Sequence, residues 1–163
     1  MNTVAVILGS DSDIEIYEKV SAVLTEFEVS FEKRIISAHR TPDLLRDYVL
    51  SAEKKGIKVF IAIAGMAAAL PGVIASFTTR PVIGVPVALK SPVMGFDSLF
   101  SMLQMPPGIP VATVAVNGGK NAGLLALEIL ALTERDLSDR LKSFKNNQRE
   151  KVVMKDQQFQ KDI

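Results

Sequence analysis

Hydrophobic positions along the chain fall into five runs of strand length, separated by longer segments in which apolar residues recur at helical spacing. The runs cover residues 4–8, 29–36, 59–64, 81–87 and 111–116. Most are apolar nearly throughout, which is typical of parallel strands buried on both faces, and the second begins as an alternating pattern. Strands that alternate with helices predict a three-layer α/β protein, in which a doubly wound, five-stranded parallel sheet lies between helices.

The handedness of the connections predicts the order of those strands. Right-handed crossovers favour the order 2-1-3-4-5, the flavodoxin-like arrangement, whose switch point lies between strands 1 and 3. The loops at residues 9–13, 37–40 and 64–72 follow three neighbouring strands in that order. We therefore expect them to converge on one crevice at the carboxyl edge of the sheet.

Capping residues predict where the first two helices begin. Ser12 and Glu15 stand at capping-box spacing before the first helix. Thr41 suits the N-cap of the second helix, and Pro42 suits its first position, where the missing N–H costs nothing. The second helix is expected to end near Gly56, because glycine is preferred just beyond a helix.

Three more helices are predicted in the second half of the chain. A short one includes residues 73–77, and a second covers residues 97–105 with Asp97 as its cap. The apolar side chains expected to face inward on the second are Leu99, Met102 and Leu103. Asn121 is expected to cap a third helix that runs through Leu132 and is apolar on almost every side. In so small a protein, such a helix predicts a subunit interface.

The chain is expected to form one domain followed by an arm. Residues 1–132 suffice for one core of ordinary size. Residues 133–163 are polar, with apolar side chains such as Leu137 and Leu141 at helical spacing. We expect a helix to about Val153 that packs on a neighbouring subunit, and a disordered tail is the alternative.

Composition excludes several classes of function. The 19 basic and 18 acidic side chains nearly cancel, so the total charge does not favour nucleic acid or a membrane surface as a partner. The absence of cysteine excludes disulfides and thiolate catalysis, and with a single histidine a transition-metal site would have to be carboxylate-rich. Residues 1–3 carry no basic segment, and no apolar run approaches a membrane span, so a cytoplasmic protein is expected.

The only histidine, His39, stands beside Arg40 in the turn between the second strand and its helix. An imidazole that titrates near neutrality, next to a permanent cation, suits proton transfer on an anionic substrate. A capping or surface histidine without a chemical role is the alternative.

The turn after the first strand contains Gly9, Ser10, Ser12 and Asp13. Its hydroxyls and backbone N–H groups at a helix start could bind a phosphate. The carboxylate of Asp13 would repel a phosphate and suits a sugar hydroxyl better. Helix capping alone also explains these residue types.

Three common ligand-binding and catalytic motifs are absent. Gly119-Lys120 lacks the earlier glycine of a Walker A loop, and neither G-x-G-x-x-G nor G-x-S-x-G occurs. This argues against nucleotide hydrolysis, dinucleotide binding and a hydrolase nucleophile. A small phosphorylated ligand and a proton-transfer residue remain.

Several motifs together resemble one family. They are Gly9-Ser10-x-Ser12-Asp13, Ser37-Ala38-His39-Arg40-Thr41-Pro42-Asp43, Ala67-Ala68-x-Leu70-Pro71-Gly72, Pro81-Val82-Ile83-Gly84-Val85-Pro86, Asp97-Ser98-Leu99, Gln104-Met105-Pro106 and Asn121-Ala122. In this order they are similar to the catalytic subunit of phosphoribosylaminoimidazole carboxylase, and more narrowly to the N5-carboxyaminoimidazole ribonucleotide mutases of purine synthesis. The similarity covers residues 1 to about 132.

The resemblance implies a role for each motif. Gly9, Ser10, Ser12 and Arg40 would hold the phosphate of the ribonucleotide, and Asp13 its ribose hydroxyls. The base and its carboxylate would lie against Ser37 and the third loop. The full set of implied substrate-binding residues is Gly9, Ser10, Ser12, Asp13, Ser37, Ala38, Arg40, Ala64, Gly65, Met66, Ala69 and Leu70.

The resemblance also implies a reaction. The N5 carbamate would lose carbon dioxide, C4 of the imidazole would capture it, and His39 would remove the C4 proton. No metal, ATP or other cofactor takes part in the family's reaction, and family members form homo-octamers with sites at subunit contacts.

One position departs from the family pattern. Family members commonly carry histidine where this chain has Ala69. Intact activity, altered substrate choice and impaired turnover are all compatible with the change. Direct carboxylation of aminoimidazole ribonucleotide or another mononucleotide, and a non-catalytic mononucleotide-binding module, are the alternative functions.

Overall fold

The sheet has the predicted topology. The computed structural model describes residues 3–161. Its strands are β1 Val4–Leu8, β2 Phe31–Ile35, β3 Val59–Gly65, β4 Val82–Val87 and β5 Ala112–Thr113. They form one sheet in the order β2-β1-β3-β4-β5, and every neighbouring pair is parallel. The predicted doubly wound, five-stranded sheet and its flavodoxin-like order are confirmed.

The interior strands are buried because helices cover both faces of the sheet. Every residue of β1 and β4 is buried, as is β3 up to Ala64. The edge strand β2 is half-buried or exposed along its length. Apolar runs therefore mark the interior strands, and mixed character marks the edge.

The last strand is shorter than residues 111–116. Regular pairing joins only Ala112 and Thr113 to β4. Beyond them single hydrogen bonds continue along β4, from the Val114 N–H to the Gly84 carbonyl at 3.0 Å and from the Asn117 N–H to the Pro86 carbonyl at 2.8 Å. Because β5 has one neighbour, nothing on its far side keeps the chain extended.

The helices begin and end close to the predicted positions. Their bounds are α1 Ile14–Glu26, α2 Pro42–Lys54, α3 Leu70–Ala75, α4 Phe96–Leu103, α5 Gly119–Ala131 and α6 Arg135–Lys161. Gly56 follows α2 with a positive φ of 98°, as predicted for the residue beyond a helix. The short third helix starts at Leu70, earlier than predicted.

Of two predicted caps, Ser12 is wrong, and Thr41 holds the predicted position without a side-chain capping bond. Ser12 lies within a 3₁₀ turn, Asp11–Asp13, that precedes α1, and Asp13 is the N-cap residue without a side-chain capping bond. Thr41 stands at the N-cap of α2, but its hydroxyl bonds to the backbone of Ser37 instead. Both hydroxyls are used to shape the loop before the helix.

The starts of α4 and α5 also differ from the prediction. Gly95, with a φ of 84°, is the N-cap of α4, and Asp97 lies in the first turn. Leu103 is 53% exposed, whereas Met102 is buried as predicted. The helix α5 begins at Gly119 and not at Asn121. A Cβ at Gly119 would lie 2.5 Å from the Ile16 carbonyl oxygen, so only glycine permits α5 to start this close to α1.

The chain divides into two compact units, Met1–Ala126 and Leu127–Ile163. Within the second, α6 continues past Val153 to Lys161, and the Lys145 ammonium lies 2.7 Å from the Glu128 carboxylate. Residues 1, 2, 162 and 163, which bear on the predicted N-terminus and tail, lie outside the described residues. Over residues 3–161, no helix combines the length and apolar character needed to cross a membrane.

Candidate active site

One cleft lies at the carboxyl edge of the sheet, within the first unit. Its volume is about 540 Å³, a size that accommodates a mononucleotide. The loops that follow β1, β2, β3 and β4 line it, and every candidate site residue from the sequence lies there. These are Gly9, Ser10, Ser12, Asp13, Ser37, Ala38, His39, Arg40, Ala64, Gly65, Met66, Ala69 and Leu70.

The loops after β1 and β2, residues 9–13 and 37–40, form what we call the polar wall of the cleft. In the first loop the Ser10 hydroxyl accepts a hydrogen bond from the Ser12 N–H at 3.3 Å and donates one to Asp11 at 3.0 Å. The Ser12 hydroxyl donates to the Asp13 carboxylate at 3.2 Å. The hydroxyls and carboxylates are thus oriented before any ligand arrives.

Asp13 is a buried carboxylate at the base of the polar wall, only 4% exposed. Burial is the largest influence on the pKa of Asp13 and raises it, because desolvation disfavours the charged form. Hydrogen bonds from Ser12 and Ser10 and the positive charge of Lys90 lower the pKa, and the negative charge of Asp11 raises it further. A buried carboxylate with a perturbed pKa in a cleft is a common feature of functional sites.

The second loop of the polar wall is a tight turn closed by Ser37 and Thr41. The Thr41 N–H and hydroxyl donate to the Ser37 carbonyl at 2.9 and 3.0 Å. The Ser37 hydroxyl in turn accepts from the backbone N–H and the Nε of Arg40, each at 3.3 Å. These bonds fix the direction of the Arg40 guanidinium and hold His39 between the two ends of the turn. His39 and Arg40 are both exposed to the cleft and solvent.

The loop after β3, residues 64–70, forms the apolar wall. None of its side chains carries an N–H or O–H group. Met66 and Ala68 adopt positive φ values of 54° and 37°, and the Ala68 N–H bonds to the Gly65 carbonyl at 3.1 Å. Left-handed backbone at two residues with side chains is strained, and buried neighbours such as Leu70 hold the loop in place. A Cβ at Gly65 would lie 3.2 Å from the Val87 carbonyl oxygen.

The loop after β4 completes the cleft, and the sequence analysis did not assign it to the site. Its lining residues are Val87, Leu89, Lys90 and Ser91. The predicted strand order contains the signal that would have found them, since the carboxyl end of β4 lies beside that of β3. The switch point between β1 and β3 indicates only the loops next to it, and the loop after β4 lies one strand further along the sheet.

The donor set of the cleft does not resemble a metal centre. Over residues 3–161, no three histidine, cysteine, aspartate or glutamate side chains form a group that could hold a metal ion. The cleft instead combines hydroxyls, one buried carboxylate, an imidazole and two basic side chains, Arg40 and Lys90. Such groups can bind an anionic sugar derivative and move a proton on it.

Comparison with known families decides which class of protein has this arrangement. A model of the AIR carboxylase family matches residues 3–151. The chain belongs to the AIR carboxylase family. The match includes all four loops that line the cleft.

Individual members of the AIR carboxylase family are close in sequence and length. The chain is 52% identical over 147 residues to the N5-carboxyaminoimidazole ribonucleotide mutase of Pyrococcus abyssi, covering 90% of this chain and 84% of that protein. It is 48% identical over 160 residues to the mutase of Thermotoga maritima, covering 98% and 93% of the two chains. The crystal structure of Treponema denticola PurE superposes with a TM-score of 0.84 at 30% identity, covering 95% of this chain and 96% of that one.

Proposed function

We propose that the protein is an N5-carboxyaminoimidazole ribonucleotide mutase of purine biosynthesis. It converts that carbamate reversibly to 4-carboxy-5-aminoimidazole ribonucleotide. The single observation that carries the proposal is that His39 and Arg40 line the same cleft as the hydroxyl-rich loop after β1 and the apolar wall after β3. The identity of about half the sequence to mutases of similar length supports the same assignment.

The polar wall binds the ribonucleotide in this proposal. Gly9, Ser10, Ser12 and Arg40 hold the phosphate, through backbone N–H groups, two hydroxyls and one guanidinium. The buried carboxylate of Asp13 accepts hydrogen bonds from the ribose hydroxyls. Ser37 and Ala38 lie under the aminoimidazole, and Ser37 keeps Arg40 in position through its two 3.3 Å bonds.

His39 moves the proton at C4. The N–C bond of the carbamate breaks, carbon dioxide forms, and the exocyclic nitrogen gains a proton. C4 then attacks the carbon dioxide, a C–C bond forms, and His39 removes the C4 proton to restore the aromatic ring. One proton is gained and one is lost, so the net reaction is an isomerisation.

The apolar wall keeps carbon dioxide within reach of C4. Ala64, Gly65, Met66, Ala69 and Leu70 present backbone and aliphatic groups to the cleft, which exclude water from the base. Carbon dioxide that cannot escape recombines at an effective concentration far above that in solution. The Ala69 side chain cannot form a hydrogen bond where family members commonly carry histidine, so the chemistry rests on His39.

The test is conversion of N5-carboxyaminoimidazole ribonucleotide by the purified protein, without ATP or added metal, in ¹³C-bicarbonate. Formation of the 4-carboxylated isomer with little ¹³C is expected, because the carboxyl group stays within the site. Product that carries the full solvent label would identify a direct carboxylase of aminoimidazole ribonucleotide. Nucleotide binding without any conversion would identify a binding module.

We also propose that the protein works as a homo-octamer in the cytoplasm. The α4 helix and the loop before it expose a group of large apolar side chains, which a second copy would cover. They are Val93, Met94, Phe96, Phe100 and Leu103, and the rings of Phe96 and Phe100 stack 6.1 Å apart. Light scattering is expected to give eight times the chain mass of 17.7 kDa, and a monomer would contradict the proposal.

The division into residues 1–132 and an arm of residues 133–163 belongs to the same proposal. We propose that the arm packs on a neighbouring subunit. Val152, Val153, Met154 and Phe159 are exposed apolar residues on α6, which suits such a contact. Replacing Val153 and Met154 by lysine is expected to reduce the mass of the assembly, and an unchanged mass would argue against this role.

A further inference from the structure

Two basic side chains line the cleft, at positions separated by the full width of the site. Arg40 follows β2, and Lys90 follows β4. The strand order places β1 and β3 between them. Three strand spacings of about 4.8 Å each separate the two loops by roughly 14 Å at the backbone, a distance that the long side chains shorten. The cleft therefore offers one fixed positive charge at each end.

The loop that carries Lys90 is anchored on both sides of it. The Ala88 N–H donates to the Asn117 side-chain oxygen at 2.9 Å. The Ser91 hydroxyl donates to Asp97 at 2.9 Å and accepts from the Gly95 N–H at 2.9 Å. A lysine flanked by such bonds is presented by a shaped loop, so less of its freedom is lost when it meets a ligand.

The charge of Lys90 acts within the cleft. Its ammonium interacts with the buried carboxylate of Asp13, which stands at the base of the polar wall two strands away. Lys90 also lines the same cleft as the apolar wall, because its loop follows β4, the neighbour of β3. Its ammonium is therefore available to the side of the site where the base of the proposed substrate lies.

The apolar wall itself leaves an anion without a side-chain partner. From Ala64 to Leu70 only backbone N–H groups can donate a hydrogen bond. A carboxylate or carbamate on the base is charged and needs a strong donor in a site that excludes water. Among the described residues that line the cleft, Lys90 is the cation on that side of the site.

We propose that Lys90 binds the migrating carboxyl group of the substrate, and so distinguishes carboxylated from uncarboxylated nucleotides. This assignment rests on the proposed mutase function and adds a residue to it. In this arrangement the guanidinium of Arg40 takes the phosphate at one end, and the ammonium of Lys90 takes the carboxylate at the other. Lys90 also stabilises the carboxylate as it re-forms on C4.

The test compares two ligands on the parent protein and on the Lys90→Met variant. Calorimetry measures the affinity for 4-carboxy-5-aminoimidazole ribonucleotide and for aminoimidazole ribonucleotide, which lacks the carboxylate. The variant is expected to bind the first about 10- to 100-fold more weakly, as for a lost charged hydrogen bond, and the second within about 2-fold. Lys90→Arg should restore much of the loss. Lys54→Met, at the exposed end of α2, is the matched control and is expected to change neither affinity.

Other results of the binding experiment would each contradict a different part of the proposal. Equal weakening of both nucleotides would place Lys90 on the phosphate or in a structural role, and no weakening would exclude it from the site. A selective loss that disappears in an Asp13→Asn background would show that Lys90 only balances that carboxylate. Failure of the parent protein to bind either nucleotide would instead overturn the proposed function.

Discussion

The two walls of the cleft are built by different physical means. The polar wall is held by hydrogen bonds from side chains to the backbone, such as those that join Ser37 to Thr41 and Arg40. The apolar wall is held by packing, with Leu70 buried beneath it and its backbone at Met66 and Ala68 in a left-handed conformation. One wall can recognise charge and the other can exclude water, and the reaction needs both at adjacent positions.

In the proposed reaction, the polar wall binds the nucleotide, and the apolar wall retains the carbon dioxide. A nucleotide phosphate and ribose need oriented polar groups, which would let carbon dioxide and water exchange freely if they surrounded the base. An apolar surface alone would contain the carbon dioxide but would not hold the nucleotide. Changes in the polar wall should therefore alter affinity and proton transfer, and changes in the apolar wall should alter stability and retention.

The largest effect is expected from His39→Asn in the polar wall. Loss of the proton acceptor should reduce kcat by about 10²- to 10⁴-fold, the usual contribution of a general acid–base group. Affinity for the 4-carboxylated nucleotide should stay within about 3-fold, because asparagine keeps the size and polarity of the position. Stopped reactions analysed by chromatography measure the first quantity, and calorimetry measures the second. Turnover at the parental rate would show that another group moves the proton.

Leu70→Ala is the corresponding test of the apolar wall. Leu70 is 2% exposed, and a buried leucine replaced by alanine costs about 2–5 kcal/mol of unfolding free energy. Urea unfolding measures the loss, and Leu44→Ala, at an exposed position of α2, is the matched control with an expected change within about 0.5 kcal/mol. The polar wall should still bind aminoimidazole ribonucleotide well below the melting temperature. Simultaneous loss of that binding would show that the two walls do not act separately.

Asp13→Asn tests whether burying the ionised Asp13 carboxylate in the polar wall lowers the stability of the protein. The measurement is the pH dependence of Tm. Because burial raises the pKa of Asp13 in the folded protein, its contribution to stability is present at low pH and is lost as the pH rises through that pKa. The asparagine variant lacks this loss. The Tm of the variant relative to the parent should therefore become more favourable as the pH rises above 3.8, the ordinary pKa of an aspartate. Profiles of Tm against pH that run parallel for the two proteins would contradict a raised pKa for Asp13.

The smallest effect is expected from Met66→Gly in the apolar wall. Glycine relieves the left-handed strain at a φ of 54° but adds backbone entropy to the unfolded chain, so stability should change by less than about 1 kcal/mol. A looser wall should let more carbon dioxide exchange, which raises the ¹³C content of the product in labelled bicarbonate. Glu28→Gly is a matched control, because Glu28 has a φ of 53° and does not line the cleft. Equal label in both variants would show that Met66 does not contain the carbon dioxide.

The topology and most of the candidate site could be predicted from the sequence because they depend on robust patterns. Interior strands such as β1 and β3 must be apolar on both faces, and right-handed crossovers leave few orders for them. The carboxyl ends of neighbouring strands then bring Ser10, His39 and Gly65 to one edge, wherever those residues stand in the chain. The motif resemblance identified the same residues independently.

The errors occurred where one local signal had two possible uses. Thr41 is the N-cap residue of α2 as predicted, yet its hydroxyl closes the turn at Ser37 instead of capping the helix, and a sequence pattern does not distinguish these bonds. Leu103 fits an apolar stripe on α4 but is exposed, because the apolar surface of that helix exceeds what the first unit buries. Lys90 lies in a loop without helix or strand periodicity, so its proximity to Asp13 follows from the place of β4 in the strand order and not from a local pattern.

The parallel order of the sheet also has a consequence for how the protein acquires its activity during folding. Each of the loops that line the cleft follows a different strand, and β1 pairs with β2 and β3 from distant parts of the chain. Such non-local pairings form slowly, because the entropy of closing long loops is lost before the contacts form. No fragment that ends before β4 contains the whole cleft. Recovery of activity in a refolding experiment would therefore report the completion of the sheet, and not the earlier formation of its helices.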